Sequence, residues 1–423
     1  MMPAADARAF LAELFEVAVA AAHPGRLMAA HLPEPPRGRT VVVGAGKASG
    51  AMAAAFEKEW MARGNGQLSG LVVTSDGNAV RTASIEVAEA RHPVPDGRSV
   101  AAAERMLELV SGLTSDDLVV ALISGGASSL LALPAPGLTL EDKQAVNRAL
   151  LASGAPIEEM NCVRKHLSAV KGGRLAAAAA PARVVSLVLS DIPGDNPALV
   201  GSGPTIPDAT TVDDARRIIA RYRLDLPERV LAALSPAPAP AASTFSNNEI
   251  RLIGAAQMSL DAAAALARRK GVAAHILSDA FASEARDLGH AHAAMALQII
   301  TRNQPFTAPC LLLSGGETTV TLRHKGRGGR NSEFLLAFAR HIAGSPGIVA
   351  LVADTDGIDG SEQNAGAIAD GTSLERMRAA GIDPVAALDG NDSYGAFAAV
   401  GDLLVTGPTG TNVNDFRAIL IAP

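Results

Sequence analysis

A short, unbroken apolar run recurs along this chain, at Val41–Val43, Leu71–Val73, Leu118–Ile123, Val184–Leu189, Leu252–Gly254, Leu311–Leu313 and Ile348–Val352. Helix-like sequence rich in Ala, Leu, Arg and Glu follows within a few dozen residues, as at Ala51–Arg63, Arg98–Ser111 and Asp213–Tyr222. A strand with one wet face alternates apolar and polar residues, whereas an unbroken run is buried on both faces. Parallel α/β sheets between helical layers bury strands in this way. The 423 residues suffice for two or three such domains. Ser235–Thr244 (SPAPAPAAST) is rich in Pro and Ala and almost without charge, so it reads as a semi-rigid linker. A boundary there gives domains over 1–240 and 241–423.

Composition narrows the function classes. With 48% hydrophobic and 19% charged residues, wholesale disorder is excluded. A net charge of −6 argues against nucleic acid and against an anionic membrane surface, and 3% aromatics leave few platforms for stacking bases. Cys162 and Cys310 are too few for a disulfide framework or a Cys-rich metal site, which suits a reducing cytosol. The longest apolar stretch, Ala176–Leu189, is interrupted by Pro181 and Arg183 and is too short to span a bilayer. Asp6, Arg8, Glu13 and Glu16 break the apolar core that a signal peptide needs, while Phe10, Leu11, Leu14, Phe15 and Ala18 recur at helical spacing. The expectation is a cytoplasmic protein that opens with an amphipathic helix and acts on small molecules.

Seven segments carry residues suited to chemistry. In Val41–Gly50 (VVVGAGKASG) a strand ends at Gly44 and a helix begins near Ala48. Backbone N–H groups in such a turn, with a positive helix end behind them, attract anions. Lys47 adds a mobile charge. The segment is neither a Walker A loop nor a strict GxGxxG, although Gly44, Gly46 and Gly50 fit GxGxxxG. A tight turn with a solvated lysine is the plainer reading. Ser124–Ser129 (SGGASS) offers Ser124, Gly125, Gly126 and Ser128 to phosphate or carboxylate oxygens, or simply a helix cap. The same pattern returns in Leu312–Thr319 (LLSGGETT), with Gly315 and Gly316, beyond the linker.

Asn161–Arg174 places Arg164, Lys165, His166, Lys171 and Arg174 close together, either as an anion site or as a solvated helix face. Asp191, in SDIPGD after a strand, stands where ligands of open α/β sheets bind. A further strand is expected at Val320–Arg323, followed by GRGGRNSE, whose Arg327 and Arg330 suit a phosphate clamp. Asp354 and Asp356, in DTDGIDG, are plausible Mg²⁺ or ribose contacts. Ile358 defeats the EF-hand spacing, and Mg²⁺ needs only one or two carboxylates beside phosphates. Val405–Asp415 (VTGPTGTNVND) forms a last polar loop before Phe416–Ile421. The histidines suggest little, since His290 and His292 are two apart on an expected helix and face different ways.

Weak singly, these segments are specific together. GAGKAS, HPVPDGRS, SGGASSLL, NxVRKHLSxxKGGRLA, LSDIPGD, GSGPTIPD, SGGETT, GRGGRNSE, DTDGIDG and TGPTGTNVND follow in this order along nearly the whole chain, over residues 5–420. The sequence resembles the class II glycerate 2-kinases, whose C-terminal half is called the MOFRL domain. Members of that family often carry the label hydroxypyruvate reductase. The resemblance implies a larger Rossmann-like α/β/α domain, a smaller α/β domain and an active site in the cleft between them. It implies ATP- and Mg²⁺-dependent phosphorylation of D-glycerate at its C2 hydroxyl. The sequence does not fix the oligomeric state, for which a homodimer is one candidate. Lys47, Asp191 and Arg330 match the family's catalytic lysine, aspartate and arginine.

Physical chemistry fits those roles. Phosphoryl transfer needs positioning and charge neutralisation more than covalent help. Lys47 and Arg330 would neutralise the γ-phosphoryl oxygens, Asp191 would take the acceptor's proton or bind metal, and Arg164 or Lys165 would hold the glycerate carboxylate. Two rivals stand beside this reading. An NAD(P)H-dependent hydroxypyruvate reductase would use GxGxxxG, with Asp76 as its ribose contact, although Asp76 lies about 30 rather than about 20 residues beyond the glycines. A non-catalytic sensor of nucleotide or sugar acid would bind without turnover.

Overall fold

The computed structural model describes residues 4–234 and 242–422. Two compact units emerge, Pro24–Ile253 and a second made of Met1–His23 with Gly254–Pro423. The boundary expected at 240 therefore falls at 253, and the first 23 residues belong to the second unit. Most of the Pro/Ala-rich linker, 235–241, lies outside the described residues.

In the first unit the strands are β1 (Thr40–Ala45), β2 (Leu68–Ser75), β3 (Ile85–Ala90), β4 (Leu118–Ile123), β5 (Arg183–Leu189) and β6 (Glu249–Gly254), ordered β3-β2-β1-β4-β5-β6. β1 to β5 pair in parallel. This is the Rossmann order, and its switch point lies between β1 and β4. Every residue of β1 and β4 is buried, as their unbroken apolar sequence requires. Val41, Val43, Ala121 and Ile123 face one core, with Met106 and Leu130 packed against them. β3 was not evident in the sequence because Glu86 and Glu89 interrupt its apolar pattern. The Leu140–Ser153 helix starts at a reciprocal cap between Thr139 and Asp142. It packs Val146 and Leu150 against Cys162 and Val163 of the Ile157–His166 helix.

The second unit holds β7 (Ala273–Phe281), β8 (Cys310–Gly316), β9 (Ile348–Asp354), β10 (Gly366–Asp370), β11 (Leu403–Leu404) and β12 (Asp415–Ile421), ordered β11-β10-β9-β12-β8-β7. This sheet is mixed rather than parallel. β12, the last strand of the chain, enters between β8 and β9 and runs antiparallel to both. Its residues alternate between two cores. Ile419 and Ile421 face the helices Ala285–Arg302 and Arg330–Ile342, while Phe416, Ala418 and Leu420 face Ala256–Arg269 and the N-terminal helix Ala4–Ala21.

That second face explains where the first helix goes. The stripe Phe10, Leu11, Leu14, Phe15 and Ala18 is buried against Leu311, Leu313 and Phe416, with the Phe15 and Phe416 rings 5.8 Å apart. Arg8 bridges Asp402 at 2.7 Å and Asp370 at 2.6 Å. The strand expected at Val320–Arg323 does not form. That segment is extended without a partner strand, Leu322 is exposed, and the Asn391 side chain accepts the N–H groups of Arg323 and His324. No helix among the described residues is long and apolar enough to cross a membrane.

Candidate active site

The carboxyl edge of the first sheet gathers Lys47 after β1, His92 after β3, Gly125 and Gly126 after β4, and Asp191 after β5. Open α/β sheets bind ligands outside this edge, at the switch point. The turn after β1 is braced by the protein itself. Gly46 N–H donates to Val73 O at 3.0 Å, Lys47 N–H to Gly125 O at 2.8 Å, and Ala48 N–H to the buried Ser124 Oγ at 3.1 Å. Gly44 lies inside β1. Gly44, Gly46 and Ser124, expected as phosphate contacts, also fasten β1 to its neighbours β2 and β4. Gly46 has φ 139°, and a Cβ there would collide with Ser124 Oγ, so glycine is needed for that seam.

The next turn is different. The N–H groups of Gly125, Gly126 and Ser128 have no acceptor among the described residues. Gly126 adopts φ 79°, and a Cβ on it would lie 3.0 Å from the His92 ring and 3.3 Å from Lys47 Cγ. The Lys47 stem and the His92 imidazole therefore flank a backbone nest suited to phosphate oxygens. His92 belongs to the HPVPDGRS motif, but a single histidine ahead of a proline has no pattern that assigns it to a site.

Behind the nest lies a polar layer. Lys171, fully buried, donates to Ser128 O at 2.9 Å, Ser128 Oγ at 3.1 Å and Gly201 O at 3.1 Å. Ser128 Oγ lies 3.1 Å from Ser202 Oγ, which donates to Asn161 Oδ1 at 3.0 Å. Burial, then the charges of Lys143 and Arg164, pull the Lys171 pKa well below the usual lysine value. Lys171 links the nest segment to the GSGP loop and is a positioning residue. Lys165, expected on substrate, is buried and paired with Asp208 at 3.4 Å. Arg174 holds the carbonyls of Lys165 and Lys171, both at 2.9 Å. Arg164 of that basic run lines an opening.

In the second unit the predicted site residues have partners of their own. Gly315 and Gly316 lie inside β8, in register with Phe416 and Asp415, and the chain continues extended after them. The SGGxTT echo of SGGASS is thus a strand end and not a second turn. Arg330 reaches Asp415 at 2.7 Å, Asp354 at 2.7 Å and Glu317 at 3.4 Å. Burial opposes its charge, but Asp415, Asp354 and Glu317 together outweigh burial and raise its pKa well above the usual value. Three carboxylates on one guanidinium leave it little positive field to offer a phosphate. Arg327 pairs with Glu362 at 2.8 Å and lies over the Tyr394 ring.

The acidic loop caps neighbouring segments. Asp359 accepts the N–H groups of Asn331 and Ser332 at the start of the 330–342 helix, where a phosphate would otherwise sit. Asp354 accepts the Asp356 N–H at 3.1 Å, and Asp356 accepts the Ile358 N–H at 2.9 Å. Among the described residues no group of three His, Cys, Asp or Glu could hold a metal ion.

A Rossmann-ordered sheet with a lysine and a backbone nest at its switch point defines a class of nucleotide- or phosphate-handling α/β proteins. Family models match residues 10–235, described as a domain of unknown function (DUF4147), and residues 310–415, described as the MOFRL family. The chain is 42% identical over 412 residues to a D-glycerate 2-kinase of Thermotoga maritima, covering 97% of each. A protein of Agrobacterium vitis named as a hydroxypyruvate reductase is 55% identical over 418 residues, 98% of this chain and 95% of that one. The crystal structure of a Thermotoga maritima glycerate kinase superposes with a TM-score of 0.87 at 40% identity, covering 98% of this chain and 99% of that one. This chain belongs to the MOFRL-domain glycerate kinase family.

Proposed function

We propose that the protein is a glycerate 2-kinase, transferring the γ-phosphoryl group of ATP to the C2 hydroxyl of D-glycerate. The observation that carries this reading is the nest of Gly125, Gly126 and Ser128 N–H groups with Lys47 packed over Gly126. Such an array holds phosphate oxygens and neutralises charge as it shifts to the leaving group. Asp191, one strand further along the same edge, accepts the C2 hydroxyl proton as that oxygen forms its bond to phosphorus and the bond to ADP breaks. Asp191 on this edge is a carboxylate that would hold Mg²⁺ brought with ATP, and the ion would supply neutralisation of phosphate charge. Arg330 acts at one remove, holding Asp354 and Asp415 in place.

³¹P NMR of a mixture of the protein, ATP, Mg²⁺ and D-glycerate tests the reading. The expected products are 2-phosphoglycerate and ADP, and formation of 3-phosphoglycerate would refute the assignment of the C2 hydroxyl. K47A and D191N each lower kcat by about 10²- to 10³-fold, the cost of removing one group that stabilises the transition state. The reductase reading meets a structural obstacle: Asp76, its ribose contact, is bound two-pronged by Arg98 at 2.6 and 2.9 Å. Steady NADH oxidation with hydroxypyruvate would revive it.

A further inference from the structure

Two cations in the first unit lack the anion that their burial calls for. Lys143 lies on the Leu140–Ser153 helix and Arg164 on the adjoining Ile157–His166 helix, and both line one small opening with Asn147 and Leu167. Lys143 is 7% exposed. Asn147 follows it by one helical turn and accepts the Arg164 Nε–H at 2.9 Å, which aims the guanidinium. Among the described residues, neither the Lys143 ammonium nor the terminal nitrogens of Arg164 meet an acceptor or a carboxylate. Asp142, which also lines the opening, is bound to Arg229 at 2.6 Å and to the Thr139 N–H at 3.0 Å.

Buried charges are normally paired, because desolvation is costly. Here burial, and then the positive charge of Arg164, hold the Lys143 pKa down to about 8. An arrangement that is unfavourable in the empty protein becomes favourable once an anion enters. The water-accessible space is about 10 Å³, room for one terminal group and not for a nucleotide. Lys171, which follows the Ile157–His166 helix that carries Arg164, is bonded to Ser128 of the nest.

We infer that Lys143 and Arg164 form a subsite for the carboxylate of the small acid that accepts the phosphoryl group, with Asn147 positioning the guanidinium. Shape and charge suit this ligand. Arg164 can grip two oxygens of one planar group, and Lys143 supplies a point charge beside it. The inference rests on the kinase reading for the identity of the acid and on the unpaired cations for the site itself.

Steady-state kinetics and thermal unfolding of the full chain test it, using K143M and R164K. Both variants should raise KM for D-glycerate by about 10- to 100-fold, as expected for one lost hydrogen bond to a charged group, and leave KM for ATP in place. K143M should also raise the Tm of the ligand-free protein, because it removes an uncompensated buried charge. In the absence of nucleotide, D-glycerate should raise the Tm of the parent protein and not that of K143M. A rise in KM for ATP instead would assign the opening to a nucleotide phosphate and overturn the inference. Unchanged KM values in both variants would make the cations purely structural and also overturn it. Were the parent protein to transfer no phosphoryl group, the kinase reading would fall, while the Tm response to D-glycerate would still decide whether the subsite exists.

Discussion

Single residues in this protein act through what surrounds them. Arg330 looked like a free clamp in GGRN, yet its guanidinium is held by Asp354, Asp415 and Glu317. R330A should therefore lose stability together with activity. Removing one partner of a buried ion pair costs about 3–5 kcal/mol, because the remaining charge stays buried. Chemical denaturation of R330A checks this, and a loss of turnover at unchanged stability would contradict the positioning role. Gly126 is a second case. G126A places a methyl group in a left-handed backbone against His92 and Lys47, so it should weaken ATP binding at least tenfold by isothermal titration calorimetry, with a smaller loss of stability. His92 shows the limit of reading residues singly: its place beside the nest exists only because β3 pairs with β2, which in turn pairs with β1.

At the scale of elements, apolar pattern decides where a helix packs only when the face it covers is known. The stripe on the first helix is plain in the sequence, but its target, the Leu311, Leu313 and Phe416 face, is assembled from strands about 300 residues later. F15A should cost about 3–5 kcal/mol in the second unit, since a large ring is removed from a packed core. Deleting residues 1–23 should expose that sheet face and give a dye-binding, aggregation-prone protein, read by ANS fluorescence and light scattering. Normal solubility and unfolding of the truncated chain would deny the helix its structural role. β12 escaped notice as a strand for a related reason. Asp415 and Arg417 interrupt its apolar run, and they are buried there because they pair with each other.

For the whole molecule, buried titratable groups set the response to acid. His292 is 2% exposed, lies 3.2 Å from Ser314 Oγ and packs edge-on against Phe281 and Phe334. Burial, with the Arg417 charge adding to it, holds its pKa down to about 4, against 6.5 in the unfolded chain. A folded pKa below the unfolded value means that the unfolded chain takes up the proton first. The stability linked to His292 is thus complete above pH 6.5 and is lost as pH falls toward 4. At about 1.4 kcal/mol per pH unit that gap amounts to about 3 kcal/mol. Urea unfolding at pH 7 and pH 4 should show the loss, and H292Q should flatten it over this interval.

The chain's own pattern determined the α/β class, most of the buried strands, the N-terminal helix and the ordered motifs that mark the family, because hydrophobic periodicity and turn chemistry are local properties. Lys47, Gly125, Gly126 and Asp191 were legible for the same reason, each standing just beyond an apolar strand. Tertiary structure alone decided which charges are spent on one another and which are left for a ligand. Lys165 and Arg330 are paired with Asp208, Asp354 and Asp415, residues far away in sequence, whereas among the described residues Lys143 and Arg164 meet no carboxylate. Charge balance depends on distances of a few ångströms across the fold, and no local pattern of residue types encodes those distances.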